Sequence, residues 1–101
     1  MRDEALRQAL GLAQRAGRLL SGDFACEKAV KDGSALLLAL DVEASEATCA
    51  RYERICERAG IPCIRVAALG AAIGREGRRI AAVTDGGFAR MIEQKAHGGF
   101  D

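Results

Sequence analysis

The chain has few of the residues that build most chemical sites. Its 101 residues include three Phe, one Tyr, no Trp, one His and one Pro. Because aromatic rings are so scarce, we do not expect bases to stack on an aromatic platform. The single histidine, His97, lies beside two glycines near the end of the chain, where a catalytic pair would lack rigid support. These absences predict a binding protein rather than an enzyme.

Paired cysteines are also missing. The chain has four cysteines: Cys26, Cys49, Cys56 and Cys63. None forms a C-x-x-C pair or has a histidine nearby, so zinc ligation is not indicated. Cys49 and Cys56 lie about 10 Å apart along one predicted helix, beyond the reach of a disulfide. We expect all four to be small buried apolar residues of a cytoplasmic protein.

Membrane and cofactor signals are lacking as well. The longest strongly apolar run, residues 35–40, is too short to cross a bilayer, and the charged N-terminal segment has no signal-peptide core. The stretch "GAAIGREG" is rich in glycine but follows a predicted helix and lacks the G-x-G-x-x-G spacing. We therefore expect no cofactor, no metal and no membrane contact.

Charge of one sign is absent overall, since 15 basic residues balance 14 acidic ones to a net charge of +1. A protein that coats nucleic acid nonspecifically is usually more basic, so binding here would require basic residues sorted onto one side. The length indicates one domain, and the composition, 50% apolar, is sufficient for a core.

Apolar periodicity predicts alternating helices and strands. The predicted helices are 2–16, 21–33, 45–60, 68–74 and 86–96, and the predicted strands are 19–20, 35–42, 63–66 and 79–85. Either Ser21 or Asp23 is expected to cap the second helix, and Ser45 the third. The unbroken run "ALLLAL" is typical of a central strand covered on both faces. This order predicts an α/β fold, a three-layer α/β/α sandwich with a mixed four-stranded sheet, in residues 1–96, followed by a flexible tail at 97–101.

Basic residues gather near the predicted turns. Lys28 and Lys31 project from the second helix, and the loop "GREGRR" contains three arginines: Arg75, Arg78 and Arg79. If the turns at 21–24 and 41–45 and this loop share one end of the sheet, they form a single positive patch. The backbone N–H groups that begin the second helix would favour an anion there. The bland alternatives are a solvated lysine face and a glycine at position 22 needed only for backbone geometry.

Four stretches, in this order, carry a family resemblance: "LGLAQRAGRLLSGDFACEKAVKDGSALLLALDVEAS", "CERAGIPCIRV", "LGAAIGR" and "AAVTDGGFARMI". With them the chain resembles the ribosomal protein L7Ae/L30e superfamily over residues 6–92, in particular its short bacterial YlxQ-like and YbxF-like members. The resemblance implies an α/β/α sandwich. For many relatives it also implies binding to kink-turn RNA, a sharply bent helix–internal loop–helix element.

The resemblance also implies residue roles around the second helix. RNA-reading relatives carry a glycine, a small polar residue, commonly Asn-Glu, and a lysine six positions after the glycine. Gly22 and Lys28 match the glycine and the lysine, and Asp23 stands at the polar position. Phe24 and Ala25 replace the Asn-Glu pair that contacts guanine edges in those relatives. Base-specific contacts are therefore expected to be fewer.

Two further loops are implied to contact RNA. Asp41 and Val42 retain part of the next contact loop, although Leu40 stands where an acidic residue is frequent. Arg78 and Arg79 replace a loop segment that is usually small and apolar. Because phosphate contacts position a protein and base contacts specify, this pattern predicts retained positioning and weaker specificity.

These observations predict a monomeric, ribosome-associated protein that binds structured RNA but not DNA. The expected ligand is a kink-turn or a similarly bent RNA, recognised with reduced base specificity. The expected RNA-binding residues are Gly22, Asp23, Phe24, Lys28, Lys31, Asp41, Val42, Arg75, Arg78 and Arg79. The alternative is a protein-interaction module that has kept the fold and lost RNA, with Phe24 as its apolar anchor. An enzyme on a generic sandwich is the weakest possibility, because no acid, base and nucleophile converge.

Overall fold

The computed structural model describes residues 2–97, and in this part of the chain helices and strands alternate as predicted. The helices are α1 (Arg2–Arg15), α2 (Asp23–Asp32), α3 (Glu46–Ala59), α4 (Leu69–Ala72) and α5 (Gly86–His97). The strands are β1 (Leu19–Ser21), β2 (Leu37–Asp41), β3 (Cys63–Val66) and β4 (Ile80–Val83).

The four strands form one mixed sheet in the order β1-β4-β2-β3. β2 and β3 are parallel, with Leu38 opposite Cys63. β4 runs antiparallel to both of its neighbours, so that Ala81 lies opposite Ser21 and Ile80 opposite Leu40. The C-terminal ends of β1, β2 and β3 therefore lie beside the N-terminal end of β4, at one end of the sheet.

Two apolar layers cover the two faces of the sheet. Every residue of β2 is buried, and alternate residues point to opposite faces because successive side chains of a strand alternate. Leu37 and Ala39 pack in the layer that contains α1, α4 and α5. Leu38 and Leu40 pack in the layer that contains α2 and α3. The predicted three-layer sandwich with a mixed four-stranded sheet is confirmed.

The two helices on the α2–α3 side begin differently. The Ser45 hydroxyl accepts the backbone N–H of Thr48 at 3.1 Å, which confirms Ser45 as the cap of α3. The prediction for α2 was wrong, since its cap is Gly22, with φ 97° and no side-chain cap. Positive φ strains residues other than glycine, so the backbone conformation selects glycine at this turn.

Two other expectations are refined. Cys26, Cys49 and Cys56 are buried, whereas Cys63 is partly exposed, and burial raises the pKa of the Cys26 thiol to about 12. His97 is the last residue of α5 rather than the first residue of a tail, and the remainder of the predicted tail lies outside the described residues. Within the described residues, no helix is long and apolar enough to span a bilayer, and no acidic, histidine or cysteine cluster is arranged to hold a metal ion.

Candidate functional site

Three turns meet at the end of the sheet where β1, β2 and β3 finish. We name residues 21–24, 41–45 and 75–79 together the turn surface. Ser21 ends β1 and Asp41 ends β2, while Ile80 begins β4 between them. The backbone N–H of Gly22 donates to the carbonyl of Ile80 at 3.0 Å, which fixes the first turn against the arginine loop. The three turns therefore share one end of the sheet, which was the condition for a single composite patch.

Arg78 lies directly over the first turn. Its Nη1 donates to the carbonyl of Ser21 at 2.9 Å. A Cβ added to Gly22 would collide with this guanidinium group and displace it, but the positive φ of Gly22 is the stronger reason for glycine here. The guanidinium group is thereby held at the start of α2. Among the described residues, 2–97, neither Arg75 nor Arg78 forms an ion pair.

Arg79 lies over the second turn, and its positive charge is partly used there. Its Nη1 donates to the carbonyl of Glu43 at 2.9 Å and lies 3.6 Å from the carboxylate of Glu43. The same nitrogen is 3.9 Å from the carboxylate of Asp41. Arg78 therefore offers a freer positive charge than Arg79.

Asp41 is a structural residue of the turn surface rather than an exposed one, with 7% of its surface accessible. Its Oδ1 accepts the backbone N–H of Leu69 at 2.9 Å, and its Oδ2 accepts that of Glu43 at 2.8 Å. The carboxylate thus ties the second turn to the start of α4. Its neighbour Val42 is 54% exposed. Of these two predicted contacts, only Val42 faces outward.

The carboxylate of Asp23 is held by α3. Arg51 Nη2 donates to Asp23 Oδ1 at 2.8 Å, and the Tyr52 hydroxyl donates to the same oxygen and lies 2.9 Å from the Asp23 carbonyl. The hydrogen bond from Tyr52, followed by that from Arg51, holds the pKa of Asp23 below its usual range. The negative charge of Asp23 is therefore balanced within the protein.

Tyr52 and Arg51 were not predicted as site residues. Tyr52 is fully buried, and burial followed by the hydrogen bond to Asp23 raises its pKa. The Arg51 guanidinium lies 4.6 Å from the Tyr52 ring centroid and also donates to Glu27 at 2.6 Å. In the sequence, Tyr52 carried only the signal of a core position, since its polar partner is 29 residues away.

The two lysines of α2 lie at different distances from the turn surface. Lys28 is exposed, 3.6 Å from Asp32, and about 7.5 Å along the helix axis from Asp23. Lys31 lies about 12 Å along the axis and pairs with Glu27 at 2.8 Å. The structure therefore brings Lys28 near the turn surface but not Lys31.

Apolar side chains also face outward from the turn surface. Phe24, the second residue of α2, is 83% exposed, the largest value among the exposed large apolar residues of the described chain. Between the second turn and the arginine loop lies an open recess of about 410 Å³ whose lining includes Val42, Glu76 and Arg79. Glu43 and Glu76 dilute the positive charge of this recess, so the electrostatic character of the surface is mixed.

The fold and these turns can now be compared with known proteins. The family described as "Ribosomal protein L7Ae/L30e/S12e/Gadd45 family" matches residues 4–93. The chain belongs to this family. Neither this family description nor the curated relative described next is named for an enzyme, in agreement with the expectation of a binding protein.

Relatives of this L7Ae-family chain support the assignment. It is 37% identical over 86 residues to the RNA-binding protein YlxQ of Bacillus subtilis, covering 82% of this chain and 86% of the relative. A solved structure of a protein with unknown function from Bacillus halodurans has a TM-score of 0.86 and 34% identity, covering 90% of this chain and 95% of that one. The Giardia lamblia 15.5kD RNA binding protein has a TM-score of 0.81 at 19% identity, covering 96% and 88%, and shows the shared fold.

Proposed function

We propose that this L7Ae-family protein binds structured RNA through its turn surface. The observation that carries the proposal is the placement of the Arg78 guanidinium over the Gly22 turn, at the uncapped start of α2. Membership of the family and the name of the Bacillus subtilis relative support RNA as the ligand.

The chemistry of the first turn suits a phosphate group. No side chain caps α2, so N–H groups of its first turn remain available to an anion, and the helix dipole favours negative charge there. Asp23 does not oppose this, because Arg51 balances its carboxylate. Arg78 and Lys28 add positive charge on either side of the turn.

The preferred ligand is a kink-turn or another sharply bent RNA, bound on the ribosome or on a ribosome-associated particle. The protein contacts the wide groove and the backbone of a preformed shape. Phe24 and Ala25 offer no side-chain hydrogen bond to a guanine edge, so base specificity is reduced. Arg75 and Arg78 hold the flanking strand by its phosphates.

The test is a titration of the protein against a kink-turn RNA and a straight duplex of the same length, each at two salt concentrations. Selective binding of the kinked RNA is the expected result. Equal and strongly salt-dependent binding of both would reduce the function to phosphate attraction. An absence of binding to either RNA at low salt would contradict the proposal and favour the protein-interaction module.

A further inference from the structure

We propose that Phe24 is a stacking platform for one unpaired nucleobase of the bound RNA. This inference rests on the proposed function and deepens it, because it adds a contact to a base where the other expected contacts are to phosphates. On this proposal, Phe24 contributes to the affinity of the turn surface for RNA in a way that does not depend on salt concentration.

The ring of Phe24 does not pack against the core of the folded protein. It is 83% exposed, whereas Val42, the next most exposed large apolar residue between 2 and 97, is 54% exposed. Phe24 belongs to neither apolar layer. An exposed phenyl ring is costly to leave in water, so a flat apolar partner would gain from covering it.

The backbone beneath the ring is rigidly held. On one side, Gly22 donates its N–H to Ile80 at 3.0 Å, and Arg78 donates to Ser21 at 2.9 Å. The Tyr52 hydroxyl lies 2.9 Å from the carbonyl of Asp23. The exposure of Phe24 is therefore not that of a loose loop, and a ring on an ordered turn loses little entropy when it binds.

Charge around the ring suits a nucleotide. Lys28 lies one helical turn after Phe24, on the same face of α2, and Arg78 lies over the preceding glycine. The two carboxylates nearest to Phe24 along α2, those of Asp23 and Glu27, both pair with Arg51, at 2.8 Å and 2.6 Å. A nucleotide could thus place its base on the ring and its phosphate between two cations.

These surroundings favour RNA over a protein partner. A protein anchor is normally ringed by contacts that exclude water from it, and the residues along this turn are small or charged. Stacking tolerates all four bases because each has a π-face, so Phe24 adds affinity without reading sequence. This runs against the expectation from composition, in which aromatic scarcity argued against stacking, but one exposed ring is sufficient for one base.

The test is a double-mutant cycle on a kink-turn RNA in which an abasic nucleotide replaces each unpaired loop nucleotide in turn. Phe24→Ala is expected to weaken binding of the intact RNA about 5- to 150-fold, which is the usual loss of affinity when one base–aromatic stacking contact is removed. Phe24→Trp should retain affinity. At one loop position, the abasic RNA should bind Phe24→Ala as well as the intact RNA does.

The salt dependence distinguishes stacking from charge. The slope of log K against log salt concentration should be unchanged in Phe24→Ala, since no phosphate contact is lost. The matched control is Leu36→Ala, another exposed apolar residue, which precedes the opposite end of β2 and should leave binding unchanged.

Three results would overturn the stacking proposal, and they distinguish its failure from that of the proposed function. If the wild-type protein binds the kinked RNA and Phe24→Ala binds it equally, or if Phe24→Ala and every abasic position act additively, stacking is wrong while the proposed function stands. If the wild-type protein binds no RNA at low salt, the proposed function fails and the stacking contact fails with it.

Discussion

Two aspartates on the turn surface lie at comparable positions, one beside the end of β1 and the other at the end of β2, yet they do different work. Asp41 is buried, and its carboxylate accepts two backbone N–H groups from residues that follow the strand ends. Asp23 is largely exposed, and its carboxylate is held by side chains of α3. The same residue type thus fastens one turn through the backbone and the other through a helix-to-helix network.

This difference predicts which turn is structural and which is free to bind. The polar groups of the second turn are paired within the protein, since Asp41, Glu43 and Arg79 all contact one another. In the first turn no side chain caps the N–H groups of α2, and the half-buried guanidinium of Arg78 donates to the Ser21 carbonyl but forms no ion pair with the described residues. Changes at Asp41 should therefore affect stability first, and changes around Gly22 should affect RNA binding first.

The largest expected effect is that of Asp41→Ala. It leaves the backbone N–H of Leu69 buried without its acceptor, so the free energy of unfolding should fall by about 3 kcal/mol. Urea unfolding followed by circular dichroism measures it. Glu43→Ala, an exposed neighbour on the same turn, is the control and should cost less than about 1 kcal/mol. Equal losses in the two variants would remove the structural role assigned to Asp41.

Tyr52→Phe should break the network of the other turn at a smaller cost. The ring stays in the core while the hydroxyl that contacts Asp23 is lost, so the free energy of unfolding should fall by about 1.5 kcal/mol. The same urea series at neutral pH measures the change. A variant as stable as the wild type would show that Arg51 alone holds Asp23.

The pH dependence sharpens the contrast further. The folded pKa of Asp23 is lowered, first by Tyr52 and then by Arg51, so the unfolded chain binds the proton more readily. Its stabilising contribution is fully present above about pH 4, the ordinary pKa of aspartate, and is lost as the pH falls through the lower folded pKa. As the pH falls from about 5 to about 2, the free energy of unfolding should therefore decrease less for Tyr52→Phe than for the wild type. A parallel loss in both proteins would contradict the linkage.

Within the arginine loop, Arg78→Gln should reduce RNA binding more than Arg79→Gln. Within the described part of the chain, the guanidinium of Arg78 forms no ion pair, whereas that of Arg79 lies close to the carboxylates of Asp41 and Glu43. For Arg78→Gln the slope of log K against log salt should fall by about one, as for one lost phosphate contact. Filter binding across a salt series measures it. A larger fall for Arg79→Gln would reverse the assignment of the two arginines.

The smallest expected effect is that of Lys31→Ala. Lys31 pairs with Glu27 near the far end of α2, so both the RNA affinity and the salt slope should stay within experimental error of the wild type. Lys28→Ala, its matched partner nearer the turn, should lower the salt slope by up to about one. If both lysines lower the slope equally, the bound RNA extends along the whole of α2.

Much of the fold could be predicted because it depends on neighbouring residues. The run "ALLLAL" predicted a fully buried strand, and β2 is buried throughout. Ser45 predicted the start of α3, and Gly33 and Gly60 predicted helix ends, where both adopt left-handed conformations. The cap of α2 could not be predicted, since Asp23 bonds to residues of α3 instead of to its own helix.

The candidate site was only partly predictable for the same reason. The sequence indicated Gly22, Lys28 and Arg78 through their residue types and spacing. It also indicated Asp41 and Lys31, which the structure turns inward or places away from the turn surface. Arg51 carried no signal and Tyr52 only that of a core position, because their contacts with Asp23 exist only when α2 and α3 pack side by side.

By itself the sequence determined the alternation of helices and strands and the three-layer class, since apolar periodicity and turn residues act over a few positions. The family was indicated separately, by the resemblance that four stretches of the sequence carry. Only the tertiary structure decided that Asp23 faces Arg51 and Tyr52, that Asp41 is buried, and that Phe24 stands free in water. A side chain's partners depend on how distant elements pack. Strand register and helix packing, which join residues tens of positions apart in the chain, therefore determine which groups the turn surface presents to a ligand.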